Sequence, residues 1–294
     1  MIKYYALPIN TKYWKPKEKY IELILDALEN KVANGDFVVL SEKALSTALG
    51  RIIDESGIKP NFNAKIISRF WMRIVWGYFL DTLCHFGQNL SRRLREYPLK
   101  VGSRHKQVAL QQAGLMHALM WGSEGGIDGS NLPYSYVSLP LDNPHELAEK
   151  IQRQILLKLK KKVFVIIVDT DKTYSFRNLH FTPRPKPMKG IYSVGGVIPY
   201  IIGRFFRLRK RPTPLAIAGD EIQVKEGLKI ANIADRARGP GSGATVWDMA
   251  TSFNSLVSGI TWEMLSKLRH KPLVIVRKST KTPSTKPQVL VNKR

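Results

Sequence analysis

One cysteine, Cys84, stands in 294 residues. That excludes an intramolecular disulfide, and no Cys/His spacing of the zinc-binding kind is present. A reducing cytoplasm is the expected compartment. Acidic residues are also scarce: 23 Asp and Glu face 47 Lys and Arg, for a formal charge of +24. Long apolar runs are missing. The most apolar stretch, Phe70 to Phe86, is interrupted by Arg73 and Asp81; it is too short and too charged for a membrane span and reads as a core helix with aromatic packing. The first ten residues lack an unbroken apolar run and a small-residue cleavage site, so no signal peptide is expected. Neither glycine-rich loop carries the G-x-x-x-x-G-K-S/T pattern or a G-x-G-x-x-G fingerprint, which excludes the common nucleotide folds by motif. No Ser/His/Asp or Cys/His set and no internal repeat is visible.

What remains is a globular composition, 44% hydrophobic, long enough for one large domain or two intertwined parts. The positive surplus favours a polyanionic partner: a nucleotide, a phosphorylated cofactor, nucleic acid or anionic lipid. A lysine-rich solvated surface is the plain alternative. The basic residues are spread over the chain instead of forming one stripe, so nucleic acid is not the favoured partner.

Along the chain, Tyr20 to Asn34 carries apolar residues on one helical face and closes at Asn34-Gly35. Phe37 to Leu40 reads as a buried strand, leading into Ser41 to Thr47 and Gly50-Arg51. That turn suits a phosphate-facing element, although its pattern favours a helix start with a serine N-cap. Residues 61–121 form a helical middle in which aromatics and arginines alternate as a core face and its rim. Gly125 to Asn131 is too glycine-rich for helix or central strand and sets one carboxylate and one carboxamide where a ligand can approach. Asn143-Pro144-His145-Glu146 opens a helix whose end, Lys160 to Lys162, complements its dipole. Val163 to Val168 is the strongest strand, of a kind covered on both faces, and ends at Asp169-Thr170-Asp171. The stretches Pro183 to Lys189 and Arg204 to Pro214, within Pro/Arg-rich residues 178–240, read as mobile or substrate-covering loops. Gly239 to Gly243 is a second glycine loop before a helix-like Val246 to Ala250. Pro272 to Arg277 is a closing strand, and residues 278–294 form a basic tail expected to be disordered.

Two Asp-bearing loops, at Asp128 and at Asp169-Thr170, offer the hard oxygen ligands that Mg2+ or Mn2+ takes, with nucleotide phosphates supplying the rest. Lys43, Ser46 and Asn131 could then hold phosphate oxygens or a base edge. The same residues also read as a helix N-cap and an Asx turn.

Taken in order, these segments resemble the coenzyme F-420 γ-glutamyl ligases. The matching pieces are Leu7-Pro8-Ile9-Asn10, Gly35-Asp36 through Gly50-Arg51, Gly126 to Asn131, Leu139-Pro140, Val163 to Thr170, Ser193 to Val197, Asp248-Met249-Ala250 and Pro272 to Arg277. The resemblance implies an α/β mixed-sheet fold of one ligase domain over residues 1–277, with intertwined parts in a homodimer. It implies a two-metal site and GTP as co-substrate. The acceptor would be a small anionic, deazaflavin-like carboxylate, phosphorylated and then attacked by the amine of L-glutamate. Carried over, Asp128 and Asp169 would hold one divalent ion and Thr170 would touch a second, with Glu263 the nearest candidate for the ligand before the closing strand. Leu7, Pro8, Ile9, Asn10, Glu42, Lys43, Ser46, Thr47 and Asn131 would line the nucleotide pocket. Phe176 and Arg177 would touch substrate. After Asp-Thr the family has a Gly-Arg pair where this chain has Asp171-Lys172. The alternatives are a relative that binds a nucleotide or cofactor without ligation, and a basic nucleic-acid-binding protein.

Overall fold

The computed structural model describes residues 3–279. Its centre is a seven-stranded mixed sheet in the order β1 (Tyr4–Thr11), β9 (His270–Lys278), β2 (Phe37–Ser41), β5 (Phe164–Phe176), β6 (Leu179–Thr182) and β7 (Tyr192–Ser193), with β8 (Arg209–Ala218) pairing along the other side of β5. A two-stranded ribbon, β3 (Ile52–Asp54) with β4 (Tyr136–Ser138), stands apart. The basic tail lies outside the described residues except for Lys278, the last residue of β9, and Ser279.

Strand periodicity explains the layers. Successive residues of β2 point to opposite faces, and both faces are covered. Val38 and Leu40 join Val165, Ile167, Leu273 and Ile275 under the helices Tyr20–Leu28, Glu42–Ala48 and Pro144–Leu159. Phe37 and Val39 join Ile166, Val168, Val274 and Val276 against Ile230, Ala231 and Ala234 of the helix Val224–Arg238. This double burial is why these strands are continuous β-branched runs. The Tyr20 helix stops at Leu28, short of the Asn34 that the pattern suggested, and ends without a basic last turn.

The helical middle builds a second lobe around Met72, Trp76, Leu94 and Val108. Its Ile67–Leu80 segment is π-helical, so residues five apart share a face. Trp71 and Trp76 accordingly both donate their indole N–H to the carbonyl of Leu119, at 2.8 and 2.7 Å. The wider turn leaves part of the Phe70–Phe86 stretch uncovered: Phe70, Tyr78 and Phe79 are exposed, so the expected core helix is core on one side only.

Two expectations are corrected. Residues 178–240 are not loops throughout: they hold β6, β7, β8 and the helices Val197–Phe205 and Val224–Arg238. Pro212 and Pro214 sit in β8 at irregular register positions opposite Lys172 and Val168, the bulged places at which a strand tolerates proline. Nor does β5 end at Asp169. The register passes from Asp169↔Thr213 directly to Lys172↔Pro212, so Thr170 and Asp171 are extra residues on β5. Such a bulge re-aims side chains out of the ladder.

Candidate active site

β2 and β5 run parallel, with Ser41 opposite Val168, so the start of the Glu42–Ala48 helix, at the carboxyl end of β2, lies beside the Asp169–Asp171 bulge of β5. This carboxyl end is where open α/β sheets bind ligands. A cavity of about 1280 Å³ opens there. It is lined by Lys43 and Thr47, by Asp128 to Asn131, by the bulge, by the second glycine loop, and by Tyr97, His105, Trp121 and Tyr200 of the helical lobe.

Lys43 bridges the first glycine loop. Its ammonium pairs with Asp128 and donates to Ser130 Oγ at 2.6 Å and the Ser130 carbonyl at 3.1 Å. The other Asp128 oxygen accepts the Ser130 N–H at 2.7 Å, an Asx turn that fixes the loop. Asn131 is spent on the second glycine loop. Its Oδ1 accepts from Ser242 N at 2.8 Å and Ser242 Oγ at 2.6 Å, and its Nδ2 donates to the Gly243 carbonyl at 3.1 Å.

Arg184 lies at the centre of the site and is buried. Nε donates to Asp169 Oδ2 at 2.7 Å, Nη2 to Glu42 Oε1 at 2.5 Å and Nη1 to the Gly125 carbonyl at 2.7 Å. Burial pushes the Glu42 carboxyl up to about 7 against the pull of this guanidinium. The loop backbone is shaped around the arginine. At Gly126, where φ is +98°, a Cβ would meet Arg184 Cζ at 2.4 Å. Gly126→Ala is therefore expected to destabilise by more than about 1 kcal/mol, from strain and clash together. A melting temperature equal to wild type would show that the loop has room to give.

Asp171 is the opposite case. Its Oδ2 is shielded from solvent and accepts no hydrogen bond within the described residues. Burial and the neighbouring Asp169 push its carboxyl well above the ordinary range. Among the described residues no group of three or more His, Cys, Asp or Glu could by itself hold a metal ion. An aspartate with an unpartnered oxygen, beside Asp169 in the lining of this cavity, fits a hard cation that brings phosphate or water ligands with it.

At the helical-lobe wall, His105 donates through both ring nitrogens, Nδ1 to Glu55 Oε1 at 2.7 Å and Nε2 to Glu124 Oε2 at 2.9 Å. Fully buried Lys106 pairs with Glu124 and caps the Met120 carbonyl. Burial opposes the His105 charge, but the two glutamates hold its pKa well above the ordinary value. Burial likewise opposes ionised Glu124, yet Lys106 and His105 hold it down to about 2. The signs give a pH window. The histidine's contribution is complete below its unfolded value near 6.5 and is lost as pH rises through the higher folded value. That of Glu124 is complete above its unfolded value near 4.5 and is lost as pH falls toward 2. The melting-temperature gap between wild type and His105→Asn should be widest near pH 5–6 and shrink above about pH 6.5; a gap that widens toward pH 8 would refute the charged histidine.

A family model for F420-0:gamma-glutamyl ligase matches residues 8–191, which include Glu42, Lys43, both glycine-loop residues Asp128 and Asn131, the bulge and Arg184. The chain is also 37% identical, over 284 residues covering 92% of this chain and 96% of the other, to an uncharacterised protein of Methanocaldococcus jannaschii. The chain belongs to the F420-0:gamma-glutamyl ligase family. That makes it a ligase by family, built on the mixed α/β sheet just described.

Within this family frame, the structure gathers some of the expected site residues and separates others. Lys43, Thr47, Asp128, Asn131, Asp169 and exposed Thr170 line one cavity. Glu42 lies behind them, holding Arg184 and accepting the Leu141 N–H at 2.9 Å. Ser46 faces inward from the helix and is fully buried, with no partner for its hydroxyl among the described residues. Leu7, Pro8 and Ile9 pair along β9 on the edge strand, Asn10 falls at the register shift between Ile9 and Thr11, and Ile9 is core; the cavity is lined instead by Tyr13 and Trp14 just beyond them. Two placements are corrections. Glu263 sits on an exposed helix paired with Lys267 at 2.9 Å, outside the cavity lining. Phe176 and Arg177 occupy the β5–β6 turn, roughly 20 Å of strand beyond Asp169, and do not line the cavity either. Sequence reasoning missed Arg184, Asp171, His105 and Glu124. Asp171 alone left a local signal, a carboxylate standing where the family has glycine. No helix among the described residues is long and apolar enough to cross a membrane.

Proposed function

We propose that this chain is a GTP- and divalent-metal-dependent amide ligase of the γ-glutamyl type, joining L-glutamate to a small, anionic, deazaflavin-like carboxylate. The observation that carries this is a single cavity in which Lys43, Asp128, Asp169 and Asp171 meet beside two glycine loops, with Lys210, Arg236, Arg269 and Lys271 also in its lining. Burial and the neighbouring Arg204 and Lys172 hold Lys210 below its ordinary range, the mark of a local positive surplus that a phosphate-bearing ligand relieves.

Asp128, Asp169 and Asp171 would hold Mg2+ or Mn2+, which when bound screens the phosphate charge. Lys43, partly exposed on a flexible stem, would turn from Asp128 to the terminal phosphate. The basic lining would bind the acceptor and the glutamate carboxylates, and the aromatic wall of Trp121 and Tyr200 would exclude water. In the reaction an acceptor carboxylate oxygen attacks the γ-phosphorus, the bond to GDP breaks, and an acyl phosphate forms. The glutamate amine then attacks the acyl carbon, inorganic phosphate leaves, and the amine gives up a proton. Isothermal titration with GTP, GDP and ATP, each with and without Mn2+, tests the reading. Manganese-dependent, guanine-selective binding is expected, and no binding of any purine nucleotide would remove it.

We propose a homodimer as well, supported by an exposed apolar stripe of Ile66, Phe70, Ile74 and Phe79 along the π-helical segment and the residue that precedes it. Light scattering giving the mass of one chain at micromolar concentration would contradict it.

A further inference from the structure

The face of the sheet turned away from the cavity carries a second buried arginine, and this one has no counterion. Tyr174 and Lys210 pair across β5 and β8, and both line the cavity. Their neighbours point the other way, because successive strand residues alternate between faces. There Thr173 pairs with Arg211, and Ser175 lies between Arg209 on β8 and His180 on β6. None of these five residues lines the cavity.

Arg211 is 7% exposed. Buried Arg184 meets two carboxylates; Arg211 meets none among the described residues, and the residues outside that range contain no Asp or Glu. Its guanidinium donates from Nη2 to Ser175 Oγ at 2.7 Å, while its Nε is shielded from solvent with no acceptor among the described residues. Ser175 Oγ, having accepted from the arginine, gives its own proton to His180 Nδ1 at 2.9 Å. The neutral ring then carries its other proton on Nε2, a further donor. The surrounding charges are positive too. Burial, Arg211 and Lys225 hold His180 below its ordinary value, and burial and Arg209 hold Arg211 down to about 10, with no carboxylate offsetting them. A buried cation left without an anion is costly, and an anion from solution relieves that cost.

We propose that this face binds a phosphate-type oxyanion, with Arg211 and His180 as its donors and the exposed Arg209 and Lys225 supplying charge at the rim. The planar fork of a guanidinium matches phosphate oxygens two at a time, and three cations with no acid among them favour a dianion over a single carboxylate. The site lies across the sheet from the proposed nucleotide cavity and does not depend on the ligase reading.

The test reads the site through its own histidine. The full chain, with its histidine rings isotopically labelled, is titrated with inorganic phosphate at constant ionic strength and followed by NMR, His180→Gln identifying the His180 signal. His105 and His270 line the cavity and report phosphate binding there. The His180 signal should move saturably. In Arg211→Gln its midpoint should weaken about tenfold or more, while the His105 and His270 signals behave as in wild type. Phosphate that moves only the cavity histidines, or a His180 midpoint unchanged in Arg211→Gln, would overturn the proposal, as would acetate binding as tightly as phosphate. Phenyl phosphate separates the two sources of the group: tighter binding than inorganic phosphate assigns the site to a phosphate ester, weaker binding to the free anion. Should Arg211→Gln fail to fold, Arg209→Gln and Lys225→Gln decide. Each should weaken phosphate about two- to fivefold, and unchanged midpoints in both would overturn the proposal.

Discussion

Glu124→Gln is expected to lower stability by about 3–5 kcal/mol, the usual cost of removing one partner from a buried ion pair. Glu124 is buried between two cations. Lys106, also fully buried, pairs with Oε1, and His105 donates to Oε2 at 2.9 Å. The amide keeps the shape and one acceptor but removes the charge, leaving a lysine in the core with a neutral neighbour. For a chain of this size the loss corresponds to roughly a 10 °C fall in melting temperature. Lys106→Met placed in the same background should recover part of it, because the uncompensated cation goes too; the double-mutant cycle measures the coupling directly. A fall of less than about 2 °C for Glu124→Gln would mean that water reaches the cluster. The functional interest is that Glu124 immediately precedes the Gly125–Asn131 loop, so the ion cluster anchors the segment that presents Asp128.

Asp128→Asn should act in the other direction: little effect on the empty protein and a large one on ligand binding. Asparagine keeps the acceptor that holds the Ser130 N–H, and the site is partly exposed, so the melting temperature without ligand should stay within about 0.5 kcal/mol of wild type. Without the carboxylate, the proposed cation loses a ligand and Lys43 loses its partner. A loss of 2–5 kcal/mol is typical when one member of a desolvated charge pair goes. Manganese-dependent GTP affinity should thus fall by about 30-fold or more. Unchanged affinity in titration would place the nucleotide elsewhere in the cavity.

How far the sequence announced this fold depended on whether a signal was local. Phe37 to Leu40, Val163 to Val168 and Pro272 to Arg277 announced themselves as strands, because burial on both faces leaves an uninterrupted apolar run. β8 did not. Its prolines and arginines carry the composition of a loop, and only the irregular register opposite the β5 bulge lets Pro212 and Pro214 stand in a strand. The helix Val224–Arg238 was hidden in part by Gly227, a poor helix former that the fold uses for close packing: a Cβ there would lie 3.3 Å from Ile217 and Met188. The site divided the same way. Asp128 and Asp169 stood in recognisable segments, a glycine loop and the exit of a strong strand. Arg184 was illegible, since Pro-Arg-Pro looks like exposed basic chain and its partner Glu42 is 142 residues away. His105 likewise meets Glu55 and Glu124 at separations of 50 and 19 residues, distances that no periodicity spans.

The central claim is that this cavity joins glutamate to a carboxylate at the expense of GTP. The most direct measurement incubates the full chain with coenzyme F-420-0, L-glutamate, GTP and Mn2+, and follows the acceptor by mass spectrometry alongside phosphate release. The account predicts an acceptor heavier by one glutamyl residue, one phosphate released per product, and neither when glutamate is omitted or Asp128 is changed to Asn. GTP bound tightly with no product, and no glutamate-dependent phosphate, would contradict it.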